Sequence, residues 1–280
     1  MEVPANGTTL FYQDDDFADA WREHDTVALQ HGYCRNGNFW RGWVPPISRE
    51  FRVLRMDMRG MGRSADPGPN YKYSLEGLAA DFVAFLDAVG VPSMHYVGES
   101  LAGMVGVTAA ARYPERFKSL TLVATPVTIE PNTSSSMATG FSSWGEAIEK
   151  LGMREHWLAT RKVQNELSGD SAQDNYFADE FARTPAHVAV ALSRAVPGAT
   201  IAESARRVTA PTLLLVPGKS PHTNAGQQSE LQQLIPHARL KSYDEAFHGI
   251  FYLRPDMLAR DTLEFIRDVS KERVKERVKV

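Results

Sequence analysis

Short apolar runs of strand length recur along this chain, and stretches with helical spacing separate them. The runs cover residues 27–30, 51–58, 94–98, 119–125, 211–218 and 238–243. Continuous apolar runs are typical of strands buried on both faces, as in parallel sheets. Apolar residues recur at helical spacing from Ser74, a candidate N-cap, to Val89, and Gly90 is a candidate stop. The alternation predicts an α/β fold with a mostly parallel sheet and flanking helices.

The alternating pattern stops between Pro126 and about Val208. This stretch favours helices, and no convincing strand interrupts it. We therefore predict a core built from residues 1–125 and 209–280, with residues 126–208 inserted as a helical cap. Such a cap would form one wall of a binding site at the carboxyl ends of the strands, where open α/β sheets bind ligands.

Composition narrows the class of protein. The 280 residues are 43% hydrophobic and carry a net charge of −3, which argues against a nucleic-acid-binding surface. The single cysteine excludes an intramolecular disulfide, and no cluster has metal-ligand spacing, so we expect neither metal nor cofactor. With no membrane-length apolar run and no secretory signal pattern, we expect a cytoplasmic enzyme without a membrane partner. Its expected partners are a small-molecule substrate and, in a homodimer, a second copy of itself.

The most informative motif is V-G-E-S-L-A-G at Val97–Gly103, where Ser100 lies between a predicted strand and a predicted helix. Small residues two positions before and after the serine allow the two backbones to approach in a tight turn. The turn would expose the hydroxyl of Ser100 as a nucleophile. The N–H of Leu101, at the start of the helix, would point at an oxyanion. A serine N-cap is the alternative interpretation of the position.

Two further segments could complete a hydrolytic site. Gly32, after the strand at 27–30, lets the loop turn back so that the N–H of Tyr33 becomes the second oxyanion donor. We expect the neighbouring His31 to be structural. His248 follows the last predicted strand, and a histidine on that loop can act as general base for a serine.

Taken together, these motifs resemble the α/β-hydrolase fold, in its esterase, lactonase and C–C hydrolase branches. The resemblance covers roughly residues 7–267, and the turn at 57–64 also resembles one that follows the family's fourth strand. It implies that Ser100 is the nucleophile and His248 the base. A serine argues against the haloalkane dehalogenase and epoxide hydrolase branches, which need an aspartate nucleophile.

The resemblance fails at the acid of the triad. The family normally places an aspartate in the loop after the next-to-last strand, but here that loop reads G-K-S-P-H-T-N-A-G-Q-Q from Gly218. Two neutral partners, Ser220 or His222, could orient the imidazole of His248 instead. The nearest carboxylates along the sequence are Glu230, Asp244 and Glu245. Because the acid stabilises the imidazolium, its absence predicts a slow enzyme or a non-hydrolytic role.

The substrate is less constrained than the mechanism. Aromatic residues of the predicted cap, with Trp144 and Trp157 foremost, are candidates for the wall of a substrate cleft. We predict a serine hydrolase that cleaves a medium-sized, largely apolar or aromatic ester or lactone through an acyl-enzyme. The alternatives are a C–C bond hydrolase with the same Ser/His pair and a catalytically weak, ligand-binding homologue.

Overall fold

A single sheet of eight strands forms the centre of the computed structural model, which describes residues 1–130 and 134–278. The strands are β1 (Glu2–Ala5), β2 (Thr8–Asp15), β3 (Thr26–Gln30), β4 (Arg52–Met56), β5 (Met94–Glu99), β6 (Phe117–Val123), β7 (Thr212–Pro217) and β8 (Arg239–Tyr243). Their order across the sheet is β1-β2-β4-β3-β5-β6-β7-β8. The strands from β3 to β8 pair in parallel, so the predicted fold class is confirmed.

Among the strands, the apolar runs of the sequence missed the hairpin at the amino terminus. β1 pairs with β2, and β2 with β4, in antiparallel fashion. Most side chains of β2 are half-buried, and the strand ends in two aspartates, so it lacks the continuous apolar run of a buried strand. The sheet is therefore mostly, and not entirely, parallel.

Helices cover the sheet and fill the chain between β6 and β7. They are α1 (Val44–Ile47), α2 (Leu75–Ala88), α3 (Leu101–Arg112), α4 (Ser134–Ala138), α5 (Trp144–Leu151), α6 (Met153–Val163), α7 (Ser171–Phe181), α8 (Ala186–Ala195), α9 (Ala202–Ala205), α10 (Ala225–Leu234), α11 (Ile250–Leu253) and α12 (Pro255–Val278). The hydroxyl of Ser74 caps α2 by accepting from the Gly77 N–H, as the sequence predicts. No helix within the described residues is both long and apolar enough to cross a membrane.

The strand order places two loops side by side. β3 pairs with β4 on one side and with β5 on the other, so the chain reverses its direction of progress across the sheet at β3. Open α/β sheets bind ligands at such a switch point, beyond the carboxyl ends of the strands. Here those ends lead into residues 31–35 after β3 and Ser100 after β5.

Candidate active site

Ser100 occupies a strained turn between β5 and α3. Its backbone has φ 54° and ψ −117°, a conformation that side chains with a Cβ rarely adopt. Residues forced into such regions cost of order 1–3 kcal/mol and cluster at functional sites. The first turn of α3 begins at the next residue, so the serine side chain lies at the amino end of a helix.

Two glycines make the close approaches around this turn possible. A Cβ on Gly98 would lie 2.9 Å from the backbone carbonyl carbon of Ala102, so β5 could not approach α3 so closely with any other residue there. A Cβ on Gly32 would lie 2.5 Å from Oε2 of Glu99. Gly32 therefore lets the loop after β3 fold directly onto the turn at Ser100, as the motif analysis expected.

Glu99, immediately before Ser100, is a fully buried carboxylate that the sequence analysis did not select. Its Oε2 accepts hydrogen bonds from the Gly32 N–H and from Nη1 of Arg35, each at 3.0 Å. Burial raises the pKa of Glu99, but Arg35, His248 and the Gly32 N–H together lower it below its usual range. A carboxylate at the end of a buried strand requires partners that stabilise its charge. This requirement could have selected Glu99 from the sequence.

His248 is held from three directions. Its Nδ1 lies 3.0 Å from Oγ of Ser220, and its Nε2 lies 3.3 Å from Oε1 of Glu99. Its backbone N–H donates to Oε1 of Glu166, at 2.7 Å. Of the two neutral partners that the sequence left open, the one that contacts the imidazole through a hydrogen bond is therefore Ser220. His222 instead packs edge-on against the ring.

None of the three carboxylates that the sequence analysis named as nearest candidates pairs with His248 among the described residues. Asp244 accepts from the hydroxyl of Ser242, and Glu245 pairs with Lys219 at the surface. Glu230 is exposed on α10. The carboxylates that do reach His248 are far away in sequence, because they come from β5 and from the segment after α6.

The loop after β3 and the start of α3 each present a backbone N–H group beside the turn. Among the described residues, neither the Tyr33 N–H nor the Leu101 N–H donates a hydrogen bond. His31 stabilises the loop: its Nε2 accepts from the Met58 N–H at 3.0 Å, and its Nδ1 donates to the Gly32 carbonyl at 2.9 Å. Burial lowers the pKa of His31 to about 4, so its ring is neutral and structural, as the sequence analysis expected.

The structure brings to one pocket the six residues selected from the sequence for catalysis, oxyanion binding or the substrate wall. They are Tyr33, Ser100, Leu101, Trp144, Trp157 and His248. The Trp144 ring packs against Tyr33 with ring centres 4.3 Å apart, and the Tyr33 hydroxyl donates to the carbonyl of Ala189 in α8. The helices between β6 and β7 and the loop after β3 therefore form the pocket together.

A buried ion pair with α6 holds the carboxylate that contacts the histidine loop. Arg161, which lines the pocket, pairs with Glu166, and Glu166 accepts the His248 N–H with its other oxygen. The sequence analysis missed both residues, because 82 residues separate Glu166 from His248.

Among the described residues, neither Cys34 nor a metal site provides a second reactive centre. Burial raises the pKa of the Cys34 thiol far above its usual value, which keeps it protonated and unreactive. Within the described residues, no three His, Cys, Asp or Glu side chains form a group that could hold a metal ion.

Comparison with known families agrees with this geometry. Residues 25–255 match the family model described as the alpha/beta hydrolase fold. The chain belongs to this family of hydrolases. The family assignment covers the sheet from β3 onward, the turn at Ser100 and the loop that carries His248.

Individual relatives of this α/β hydrolase cover shorter stretches. The bifunctional epoxide hydrolase 2 of Mus musculus is 35% identical over 101 residues, which is 36% of this chain and 18% of that protein. A pimeloyl-[acyl-carrier protein] methyl ester esterase of Methylococcus capsulatus is 37% identical over 162 residues, 51% of this chain and 60% of the esterase. The chain thus spans less than two thirds of the length of these relatives.

The fold extends over nearly the whole length of a solved structure. The enol-lactonase of Burkholderia xenovorans superposes with a TM-score of 0.77 at 23% identity, covering 95% of this chain and all of the lactonase. At this identity the likeness concerns the fold.

Proposed function

We propose that this α/β hydrolase cleaves esters or lactones through an acyl-enzyme formed on Ser100. The observation that carries the proposal is the strained backbone of Ser100 at the amino end of α3, in a pocket that also contains His248. A strained serine between a strand and a helix is the geometry that exposes a nucleophilic hydroxyl. The esterase and the enol-lactonase to which the chain is similar act on these substrate classes, as their names state.

His248 acts as the general base in this proposal. Oγ of Ser220 already accepts two backbone N–H groups, so we assign its own proton as a hydrogen bond to Nδ1 of His248, with the Nε2 proton toward Oε1 of Glu99. For the reaction the ring takes its other tautomer, whose Nε2 lone pair accepts the proton of Ser100. The imidazolium formed in that step is then stabilised by Glu99, whose Oε1 lies 3.3 Å from Nε2. The proton returns to the leaving alcohol, and water repeats the cycle on the acyl-enzyme.

The N–H groups of Tyr33 and Leu101 are proposed to bind the oxyanion. Support comes from two facts: neither donates elsewhere among the described residues, and Leu101 begins a helix whose dipole favours negative charge. Residues 126–208 are proposed to form the cap, with Trp144 and Trp157 as parts of the substrate wall.

Ser220 makes the proposed enzyme slow. A hydroxyl positions the ring of His248 but, unlike a carboxylate, adds no negative charge at Nδ1 and does not fix a proton there. Weakened support for the histidine costs serine hydrolases powers of ten in rate. This feature also favours a second candidate, a weak hydrolase homologue that binds its ligand without turning it over.

A fluorophosphonate probe tests the proposal. An activated Ser100 forms a covalent adduct, located by peptide mass spectrometry, and Ser100→Ala removes the labelling. Labelling with ester turnover supports the hydrolase, whereas labelling without turnover favours the ligand-binding homologue. A native protein that takes up no probe at Ser100 contradicts the acyl-enzyme mechanism.

A further inference from the structure

Glu166 reaches the histidine loop from the proposed cap. It lies between α6 and α7 and is buried, with 1% of its surface exposed. One carboxylate oxygen, Oε1, accepts the backbone N–H of His248 at 2.7 Å, and the other, Oε2, pairs with Arg161 in α6. Both oxygens of this buried charge are therefore paired, and one of them is bound to the backbone of the proposed base.

Stability alone is a weak reason for this buried charge. Removing two charges from water costs about as much as their attraction returns, so well-packed apolar residues often replace a buried ion pair without loss of stability. The contact between Glu166 and His248 is therefore better explained by what it does at the site.

The backbone of His248 is the place where the proposed base can be fixed most firmly. Ser220 offers only a neutral hydroxyl at Nδ1, and the opposite atom, Nε2, must exchange its proton with Ser100 during the reaction. A hydrogen bond from an N–H to a carboxylate is shorter and stronger than one to a neutral acceptor. Precise placement matters, because a displacement of about 1 Å can slow a reaction about 100-fold.

Arg161 keeps the carboxylate of Glu166 oriented. Its side chain is buried, and its guanidinium lies 5.6 Å from the ring centre of Trp157, which lines the same pocket. The carboxylate is therefore anchored on one side to a helix of the pocket and on the other to the loop that carries His248.

We propose that Glu166 is a positioning residue, whose carboxylate fixes the backbone of His248 so that the imidazole stays within reach of Ser100. This inference rests on the proposed function, since it concerns the base of that reaction. It assigns to the proposed cap a part in the chemical step besides the part of enclosing the substrate.

Two double variants isolate the hydrogen bond to His248. Arg161→Met/Glu166→Gln removes both charges and keeps an amide oxygen that can accept the His248 N–H. Arg161→Met/Glu166→Met removes both charges and the acceptor, with a side chain of nearly the same length. Neither leaves an unpaired charge in the interior, so both should fold. Any effect of losing Arg161 from the pocket is common to the two variants.

The hydrolysis of p-nitrophenyl butyrate gives the rates. We expect kcat of Arg161→Met/Glu166→Met to be about tenfold below that of Arg161→Met/Glu166→Gln, because its base is displaced. KM should agree within about twofold, since the pocket is the same in both. A merely structural role would change the melting temperature without separating the two kcat values.

Glu180→Gln and Glu180→Met form the matched control pair. Glu180 is also a buried carboxylate of the proposed cap, but its Oε2 accepts from the side-chain amides of Asn36 and Asn38 instead of the histidine loop. The two control variants should have equal kcat. A difference as large as that between the double variants would attribute the effect to general attachment of the proposed cap and overturn the role of Glu166.

The results separate this proposal from the proposed function. Equal kcat in the two double variants, or a change confined to KM, overturns the positioning role and leaves the acyl-enzyme mechanism intact. If the parent protein turns over no ester, the proposed function fails, and hydrogen–deuterium exchange of the His248 amide replaces the rate measurement. Faster exchange in Arg161→Met/Glu166→Met than in Arg161→Met/Glu166→Gln then supports the fixing of the backbone by residue 166, and equal exchange overturns it.

Discussion

The site combines two regions that are built in different ways. The elbow region, residues 97–103, retains the small residues, the strained serine and the helix start of the family pattern. The histidine region, residues 218–222 and 244–249, retains the histidine but places the neutral Ser220 at Nδ1 of His248. One region keeps its family pattern, and the other departs from it.

The difference follows from what each region requires. In the elbow region backbone atoms approach so closely that Gly98 has no room for a Cβ, so most changes would displace the chain. In the histidine region only one side-chain hydrogen bond is needed at Nδ1, and several residue types can supply it. Substitution there changes the rate without rebuilding the fold.

Removing the proposed nucleophile tests the elbow region, and its expected effect is the largest. Ser100→Ala lowers kcat for p-nitrophenyl esters by at least about 10³-fold, because the acyl-enzyme cannot form. Circular dichroism should show an unchanged fold, since alanine has nearly the same size. Retained turnover in this variant would refute Ser100 as the nucleophile.

Restoring a carboxylate tests the histidine region. Oγ of Ser220 accepts the N–H groups of His222 and Thr223, each at 3.2 Å, and an aspartate can make the same turn. Ser220→Asp therefore leaves one carboxylate oxygen for Nδ1 of His248. We expect kcat to rise about 10- to 100-fold and the kinetic pKa of the base to increase, because the imidazolium gains a negative partner.

Ser220→Asn is the matched control for that gain. Its amide has the shape of aspartate without the charge, so kcat should stay near that of the parent protein. Equal rates in the two variants would mean that charge at Nδ1 does not limit turnover.

We expect the buried His31, beside the elbow region, to make a smaller, pH-dependent contribution to the free energy of unfolding. Its pKa is about 4 in the folded chain and roughly 6.5 when unfolded, so only the unfolded chain binds the proton between these values. The free energy of unfolding should fall by up to about 1.4 kcal/mol per pH unit from this group as pH drops from 6.5 to 4.

Denaturant titrations of His31→Gln across this pH window check that contribution. The variant should show a shallower loss of stability on acidification than the parent, while a change at the exposed His237, His237→Gln, should not. Parallel pH curves for the parent and His31→Gln would show that His31 is not buried as a neutral ring.

We expect the smallest effect on ester turnover from changing Cys34. It is fully buried and burial raises the pKa of its thiol, so a thiol reagent should modify it only after unfolding. Cys34→Ala should keep ester turnover within about twofold. Rapid modification of the folded protein would show that the loop after β3 opens.

The residues at the carboxyl ends of the strands could be predicted because their signals are local. Apolar runs indicated the strands from β3 to β8, and the motif around Ser100 indicated the turn between β5 and α3. The hairpin of β1 and β2 was missed, since its half-buried strands lack such a run. A strand, a tight turn and a helix start are each encoded within a few neighbouring residues.

The surroundings of His248 depend on contacts between distant segments. The loop sequence allowed either Ser220 or His222 as its partner, and only the fold determines that Ser220 lies 3.0 Å from Nδ1. Glu99 was visible in the motif around Ser100, but its position at Nε2 follows from the packing of β5 against the loop after β8. The sequence by itself determined the strained turn at Ser100, since backbone geometry is local. Tertiary structure decided which carboxylates are buried against the histidine, since a charge is paired by whatever the folded chain brings near it.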